Sequence, residues 1–339
     1  MQAEDRSEFV KAMVKEYNDH TDRKHWKLVR KEEVPKGTKI LDSIWSMKRK
    51  RNIITREIYK WKARLTVHGG QQEYGINYFE TYSPVVNWFS VRTFLSMAIM
   101  NKWHSRQIDF VLAYPQADIE CDMYMSLPRG LTIPGASRTT HALKLLKNIY
   151  GQKQAGRVWN KHLCKGLTNI GFKPSKVDDR VYYRGSVVFI FFVDDGLFFS
   201  PNKADVDQAI KDLKDEKKAK TKFDIEDRGS INDYLGINFK TLPNGRIVFS
   251  QPHLIDDIIK DVGLDRSNAS KATPATSSYI LQRDIDEDKF DGSFDYRSII
   301  GKLIIWKRQQ DRTLLTRCTN VQDFVLTQRS LTGKQFYIW

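Results

Sequence analysis

Apolar residues recur along this chain at two spacings, and the change from one spacing to the other marks out its elements. Phe9, Met13, Val14 and Tyr17 return at helical spacing and predict an amphipathic helix within residues 1–25. From Trp26 to Thr66 apolar and basic residues alternate, in WKLVR, KILDSIWSMKRKR and IITREIYKWKARLTV. Alternation predicts short antiparallel strands with lysines and arginines on one face, and it places Lys48–Arg51 in a hairpin loop. Residues 68–90 are rich in glycine, polar and aromatic residues and read as a loop. A helix is predicted over Ser90–Lys102, capped by Ser90, with Phe94, Leu95, Ala98 and Ile99 inward. Strands follow at Gln107–Phe110 and Met123–Leu127, and HALKLLKNIY reads as a strand and a turn. Ala155–Ile170 is a helix with Val158, Leu163, Leu167 and Ile170 inward and Gly171 closing it.

Two of the most apolar runs of the chain then frame a pair of acids, in VVFIFFVDDGLFFS. After a strand at Arg180–Tyr183, the pattern predicts a hairpin: strand Val187–Val193, a turn at Asp194, Asp195 and Gly196, and strand Leu197–Ser200. Asn202–Lys217 is a charged helix with Val206, Ile210 and Leu213 inward. YLGINFK and RIVFSQ read as strands joined by TLPNG, and Pro252–Val262 as a helix. Residues 263–293 have the composition of a linker, and Tyr296–Leu303 begins a further helix.

Composition adds a partner to this outline. The net charge of +15 is spread along the 339 residues rather than gathered in a tail, which points to a broad polyanion-binding surface. No apolar run approaches the roughly 18 residues of a membrane span, and residues 1–20 lack an apolar signal core. The expectation is an intracellular protein without a membrane partner. The three cysteines, Cys121, Cys164 and Cys318, lie far apart, which predicts reduced, buried thiols and no zinc site.

The candidate chemistry lies in the acids. Adjacent carboxylates repel and are costly to desolvate, so a chain that frames Asp194 and Asp195 with Phe, Ile and Val has a use for them. Asp-Asp-Gly is also ordinary turn chemistry and alone decides nothing. Asp109, at the end of a predicted strand well upstream, adds a third carboxylate. A lone aspartate and a hairpin pair are the oxygen ligands with which polymerases hold two Mg²⁺ ions for in-line phosphoryl transfer.

Around these acids stand WKARLTVHGGQQEYGINYFETYSPVV, WHSRQIDFVLAYPQADIECDMYMSLPRGL, LLKNIYGQKQAGRVW, FVDDGLFFS and YLGI. In order and approximate spacing they resemble the reverse transcriptase of copia-type LTR retrotransposons, over roughly Trp26 to Leu303. The resemblance implies an α+β, right-hand polymerase fold of fingers, palm and thumb, with an antiparallel palm sheet backed by helices. It implies an RNA-directed DNA polymerase using two Mg²⁺ ions, or Mn²⁺ in their place, dNTPs, and a primer on an RNA or DNA template. Asp109, Asp194 and Asp195 then match the metal-binding, catalytic carboxylates. Tyr114, five positions after Asp109, matches an aromatic that packs under the sugar and rejects a 2′-hydroxyl. Lys62 and Arg64 match a basic pair that holds the triphosphate. Gly151, Lys153 and Gln154 match the block against the incoming base pair and template, and Tyr234–Ile237 resembles the primer-gripping hairpin. Without the resemblance, Asp109 reads as a strand-end surface residue, Tyr114 as a core tyrosine, and Lys62 and Arg64 as solvated cations.

The chain departs from the family pattern at Ala155-Gly156, in place of Ser-Pro, at Phe192, in place of Tyr, and at Tyr114-Pro115-Gln116-Ala117. None of these removes a carboxylate. From Ile304 on, the resemblance stops. Back-translated with permissible codons and read one nucleotide earlier, the tail yields a TRPDI-containing segment of the kind the family carries after GKL, which points to a frameshift near Leu303. The expected organisation is a helical lead-in over 1–25, fingers and palm over 26–265, a linker and start of the thumb or connection over 266–303, and an aberrant tail over 304–339. The chain reads as a fragment of a Pol polyprotein. It is expected in the cytoplasm, in a virus-like particle for an intact element, or in the nucleus. A second reading is a catalytically dead, nucleic-acid-binding remnant of a decayed element.

Overall fold

The structure, a computed structural model, describes residues 3–52, 57–231, 233–241, 247–263 and 295–309. The chain divides into two compact units, Met1–Ser230 and Ile231–Trp339, so the division falls inside the segment 26–265. The first unit opens with helix α1 (Ala3–Asp22), strands β1 (Trp26–Arg30) and β2 (Ile40–Leu41), and the long pair β3 (Ser43–Arg51) and β4 (Ile58–Val67). Helix α2 (Trp88–Met100), β5 (His104–Phe110), β6 (Tyr124–Ser126), β7 (His141–Leu145) and α3 (Ala155–Asn169) follow. Strands β8 (Lys173–Pro174), β9 (Val181–Arg184), β10 (Val187–Phe192) and β11 (Asp195–Ser200), helices α4 (Lys203–Lys214) and α5 (Glu216–Ala219), and β12 (Ile225–Gly229) complete it.

Among the described residues the central sheet has six strands in the order β12-β5-β11-β10-β9-β8, every pair antiparallel. On one face Ile108, Phe110, Phe189, Phe191 and Phe198 pack with Trp159, Leu163 and Leu167 of α3 and Val206, Ile210 and Leu213 of α4. Each such side chain contributes about 1.5–3 kcal/mol by leaving water. On the other face Phe94 of α2 meets Phe199 and Tyr183, at ring centroid distances of 6.4 and 6.2 Å. An antiparallel sheet with helices on it is the α+β class the sequence implies. Helix α2 starts two residues before the expected Ser90 because Asn87 caps it, its side chain accepting from the Phe89 amide; Ser90 instead donates to Asp178.

A second sheet, β1-β7-β6-β2, closes over Trp26, Leu41, Met125, Leu143 and Leu145, which share a core with Leu65 and Val67. Beside it β3 and β4 pair along their whole length. Lys48–Arg51 therefore belong to a strand rather than to a hairpin loop. Helix α1 is more than a lead-in. Its Asp5 accepts from the Trp61 indole and pairs with Arg49, and its Glu16 accepts from the Leu65 amide, so it docks on β4. Val14 stays exposed, contrary to the inward position that helical spacing gives it. Cys121 and Cys164 are free thiols, half-buried rather than buried.

In the second unit β13 (Asp233–Tyr234), β14 (Ile237–Thr241) and β15 (Ile247–Ser250) form an antiparallel sheet. The expected single strand YLGINFK is split by a turn, where Leu235 at φ +50° and Gly236 at φ +82° reverse the chain. Helices α6 (Pro252–Asp261) and α7 (Tyr296–Gln309) pack through Ile258, Ile299 and Leu303. The linker 264–294 and the tail from 310 on lie outside the described residues. No helix among the described residues is long and apolar enough to cross a membrane.

Candidate functional site

The acidic hairpin turns one residue earlier than its sequence suggests. Phe192 pairs with Asp195, so Val193 and Asp194 form the turn and Asp195 already belongs to β11. Val193 takes φ +57°, a conformation that a β-branched side chain adopts only when its surroundings impose it. Two hydrogen bonds do so. The buried Trp159 of α3 donates its indole N–H to the Val193 carbonyl at 2.7 Å, and the Phe110 amide donates to the Asp194 carbonyl at 2.9 Å. Gly196 is not the turn glycine. It lies in β11 between Phe191 and Ile108, where a Cβ would stand 2.7 Å from the Phe189 ring and 2.9 Å from the Ile108 side chain. Only a residue without a side chain lets the three strands close there.

Register then aligns the acids. Asp195 of β11 faces Asp109 of β5, and Asp109 faces Glu226 of β12. Directly opposite residues share a sheet face, so Asp195, Asp109 and Glu226 form one row, with Asp194 at the adjoining tip. Burial pushes the Asp194 carboxyl above the usual range, the charge of Asp109 adds to this, and Arg64 and Lys62 pull the other way. A β-bulge between Asp227 and Gly229 leaves Arg228 as the extra residue of β12. The Arg228 guanidinium pairs with Asp109 at 3.1 Å. Asp227 fixes the bulge by accepting two hydrogen bonds from Arg106, both 2.7 Å, and one from the Gly229 amide at 2.9 Å.

Among the described residues no three His, Cys, Asp or Glu side chains converge tightly enough to hold a metal ion. The donor chemistry nevertheless suits a hard divalent cation, being carboxylate throughout. The row also requires positive charge, which Arg228 supplies at Asp109. Asp109, Asp194 and Asp195 are thus brought to one end of the sheet, with Asp109 turned onto an arginine.

The β3–β4 hairpin carries a ladder of cations, of which Arg64 and Lys62 act on the Asp194 carboxyl. Across β3 and β4 Ser46 pairs with Arg64, Lys48 with Lys62, and Lys50 with Lys60, so five positive side chains share one face. Like charges directly opposite destabilise a strand pair, and desolvation together with Arg64 and Lys50 lowers the Lys62 pKa. The Arg64 guanidinium carbon lies over the Tyr150 ring, 3.9 Å from its centroid, and Tyr150 packs on Tyr114 at 4.8 Å. Burial raises the pKa of both phenols, and the charge of Asp194 contributes to the rise in each. A column Arg64–Tyr150–Tyr114 therefore stands beside Asp194. The other block divides. Gly151, at φ +91°, is where the backbone crosses β4, and a Cβ there would stand 2.1 Å from the Val67 carbonyl oxygen. Lys153 is exposed and lies over the Tyr78 ring at 4.4 Å. Gln154 is buried and accepts from Gln72 at 2.9 Å, so its side chain is committed inside the fold.

Sequence reasoning missed Tyr150, Trp159, Glu226 and Arg228. Tyr150 stands next to the singled-out Gly151, a signal that was available; the other three depend on packing and on a bulge.

An antiparallel sheet with two aspartates on its hairpin and one on the neighbouring strand is the arrangement the sequence resemblance leads one to expect. The family described as reverse transcriptase (RNA-dependent DNA polymerase) matches residues 23–277, and the chain belongs to that family. It is 31% identical over 299 residues to the retrovirus-related Pol polyprotein from transposon RE1 of Arabidopsis thaliana, covering 86% of this chain and 19% of that protein. It is 28% identical over 279 residues to the one from transposon TNT 1-94 of Nicotiana tabacum, covering 80% and 20%. These relatives bear out the resemblance to copia-type reverse transcriptases, and the chain spans about a fifth of their length. A solved foamy viral protease-reverse transcriptase in complex with double-stranded DNA aligns with a TM-score of 0.43 and 11% identity, over 88% of this chain and 40% of that one.

Proposed function

We propose that the chain acts as an RNA-directed DNA polymerase, extending the 3′-hydroxyl of a primer on an RNA or DNA template with dNTPs, in an intracellular setting. The observation that carries this reading is the Asp109–Asp195 register pair with Asp194 at the tip beside it. In this reading the six-stranded sheet is the palm and the β3–β4 hairpin belongs to the fingers. Two divalent ions, Mg²⁺ or Mn²⁺, would be held by carboxylates of Asp109, Asp194 and Asp195 and would supply charge neutralisation at the primer hydroxyl and at the pyrophosphate. Arg64, seated over the Tyr150 ring, and Lys62 take the triphosphate, the guanidinium as a fork and the ammonium as a point charge. The Tyr114 ring, backed by Tyr150, floors the sugar pocket and disfavours a 2′-hydroxyl. Lys48, Lys50 and Lys60 follow template phosphates, which positions the duplex without reading its sequence.

Primer extension on poly(A)–oligo(dT), with Mg²⁺ and then Mn²⁺, tests this. The full chain should incorporate dTTP, and Asp194→Asn should reduce incorporation at least about a hundredfold while duplex binding is retained. Duplex binding without incorporation under either ion would reject the polymerase reading in favour of a remnant that only binds, a reading to which the Arg228–Asp109 pair lends support.

A further inference from the structure

Three features of β12 converge on one acid. The strand register puts Glu226, Asp109 and Asp195 in a row of like charges. The bulge after Asp227 takes Arg228 out of the ladder, and the Arg106–Asp227 fork holds that bulge in place. The freed Arg228 side chain, 46% exposed, reaches Asp109 at 3.1 Å while Asp109 itself is 21% exposed. A bulge beside a functional site commonly re-aims a side chain, and here the re-aimed group is a cation on a metal-binding carboxylate.

We propose that Arg228 is the resident counter-cation of the acidic row, holding Asp109 in the metal-free protein and leaving it when a divalent ion binds. The proposal rests on the reading of Asp109, Asp194 and Asp195 as metal ligands. Arg228 acts through Asp109 and is a positioning residue. The physical case is competition. A guanidinium and a hard cation seek the same carboxylate oxygens, and Asp109, flanked by acids in its row, favours a positive partner. Arg106 lies on the opposite face of β5 from Asp109 and is bonded to Asp227 and Asp207, so its part is to hold the bulge that aims Arg228 at Asp109. Divalent ions then bind more weakly than the carboxylates alone would allow, and binding requires Arg228 to swing out.

The test is Mn²⁺ binding by isothermal titration calorimetry on the full chain, with no nucleic acid or nucleotide present. Arg228→Gln should tighten Mn²⁺ binding about three- to fivefold, the scale of an ion pair of this exposure. Arg23→Gln, whose guanidinium pairs with Asp224 instead, should not. Equal affinity in Arg228→Gln and the unaltered chain, or an equal gain from Arg23→Gln, would overturn the proposal. Crystals soaked in Mn²⁺ give a second readout that needs no variant. The anomalous peak should coincide with an Arg228 side chain turned away from Asp109, and a bound ion with that pair intact would also overturn it. If Asp109→Asn and Asp194→Asn bind Mn²⁺ as tightly as the unaltered chain, the underlying metal-ligand reading fails instead, a result distinct from either of these.

Discussion

Asp194 shows what it costs to bury an acid at the tip of the hairpin. Its carboxyl is pushed above the usual range chiefly by burial, with the Asp109 charge next among the groups that raise it. A carboxyl with a raised folded-state pKa contributes stability that is fully present below its unfolded value and is lost as pH rises through the folded one. Asp194→Asn, which carries no charge to desolvate, should therefore melt about 1–3 °C higher than the parent at pH 7. The difference should close as pH falls below the ordinary carboxylate value. Thermal melts in chelator across that range check the sign; a variant less stable at pH 7 would mean that Asp194 supports the turn through its side chain. The importance of Asp194 and Asp195 is legible in the sequence because two adjacent charges inside an apolar run are a local conflict. Arg228 is not legible, because its reach to Asp109 depends on a single unpaired residue in an edge strand.

At the scale of elements, the hairpin shows how close a reading by pattern comes and where it stops. Alternation locates both strands, and the preference of Asp-Gly for turns assigns the glycine after the acids to the turn. The structure gives the turn to Val193 and Asp194 and uses Gly196 for close approach of β5, β10 and β11. Three-strand packing decides this, and no local pattern contains it. Gly196→Ala should therefore cost about 1–3 kcal/mol, as overpacking does. A glycine needed only for turn conformation would yield the same loss without disturbing Phe189. Urea unfolding measures the cost, and aromatic NMR shifts at Phe189 separate the two causes. The same limit explains Lys48–Arg51. A run of cations reads as a loop because a strand pair made of opposed lysines is unfavourable in isolation. The pairing holds because the other face of the hairpin is covered by α1, with Asp5 on Trp61 and Arg49. The YLGINFK segment departs from its expected single strand for the opposite reason, since Leu235 gives no sign in sequence of its positive φ.

For the whole molecule the governing quantity is charge. The net charge of +15 points to a polyanion before any element is placed. The structure shows that part of this excess is organised, with Lys48, Lys50, Lys60, Lys62 and Arg64 on one face of β3 and β4. Such a face works against its own strand pair and becomes favourable when phosphates lie between the cations, releasing their counterions. The double substitution Lys48→Gln, Lys50→Gln separates binding from folding, because the two quantities should move in opposite senses. The slope of log affinity against log salt for a labelled primer–template duplex should become shallower by about two, one for each phosphate no longer neutralised. The weakening should be the same for duplexes of different sequence, because phosphate contacts carry no base information. The melting temperature in the absence of nucleic acid should hold or rise, since two opposed like-charge pairs are relieved. Fluorescence anisotropy between about 50 and 200 mM salt and a thermal melt decide the matter together. An unchanged slope, or a slope change accompanied by a lower melting temperature, would return the ladder to a solvated surface or a structural element and would leave the template path to be sought elsewhere.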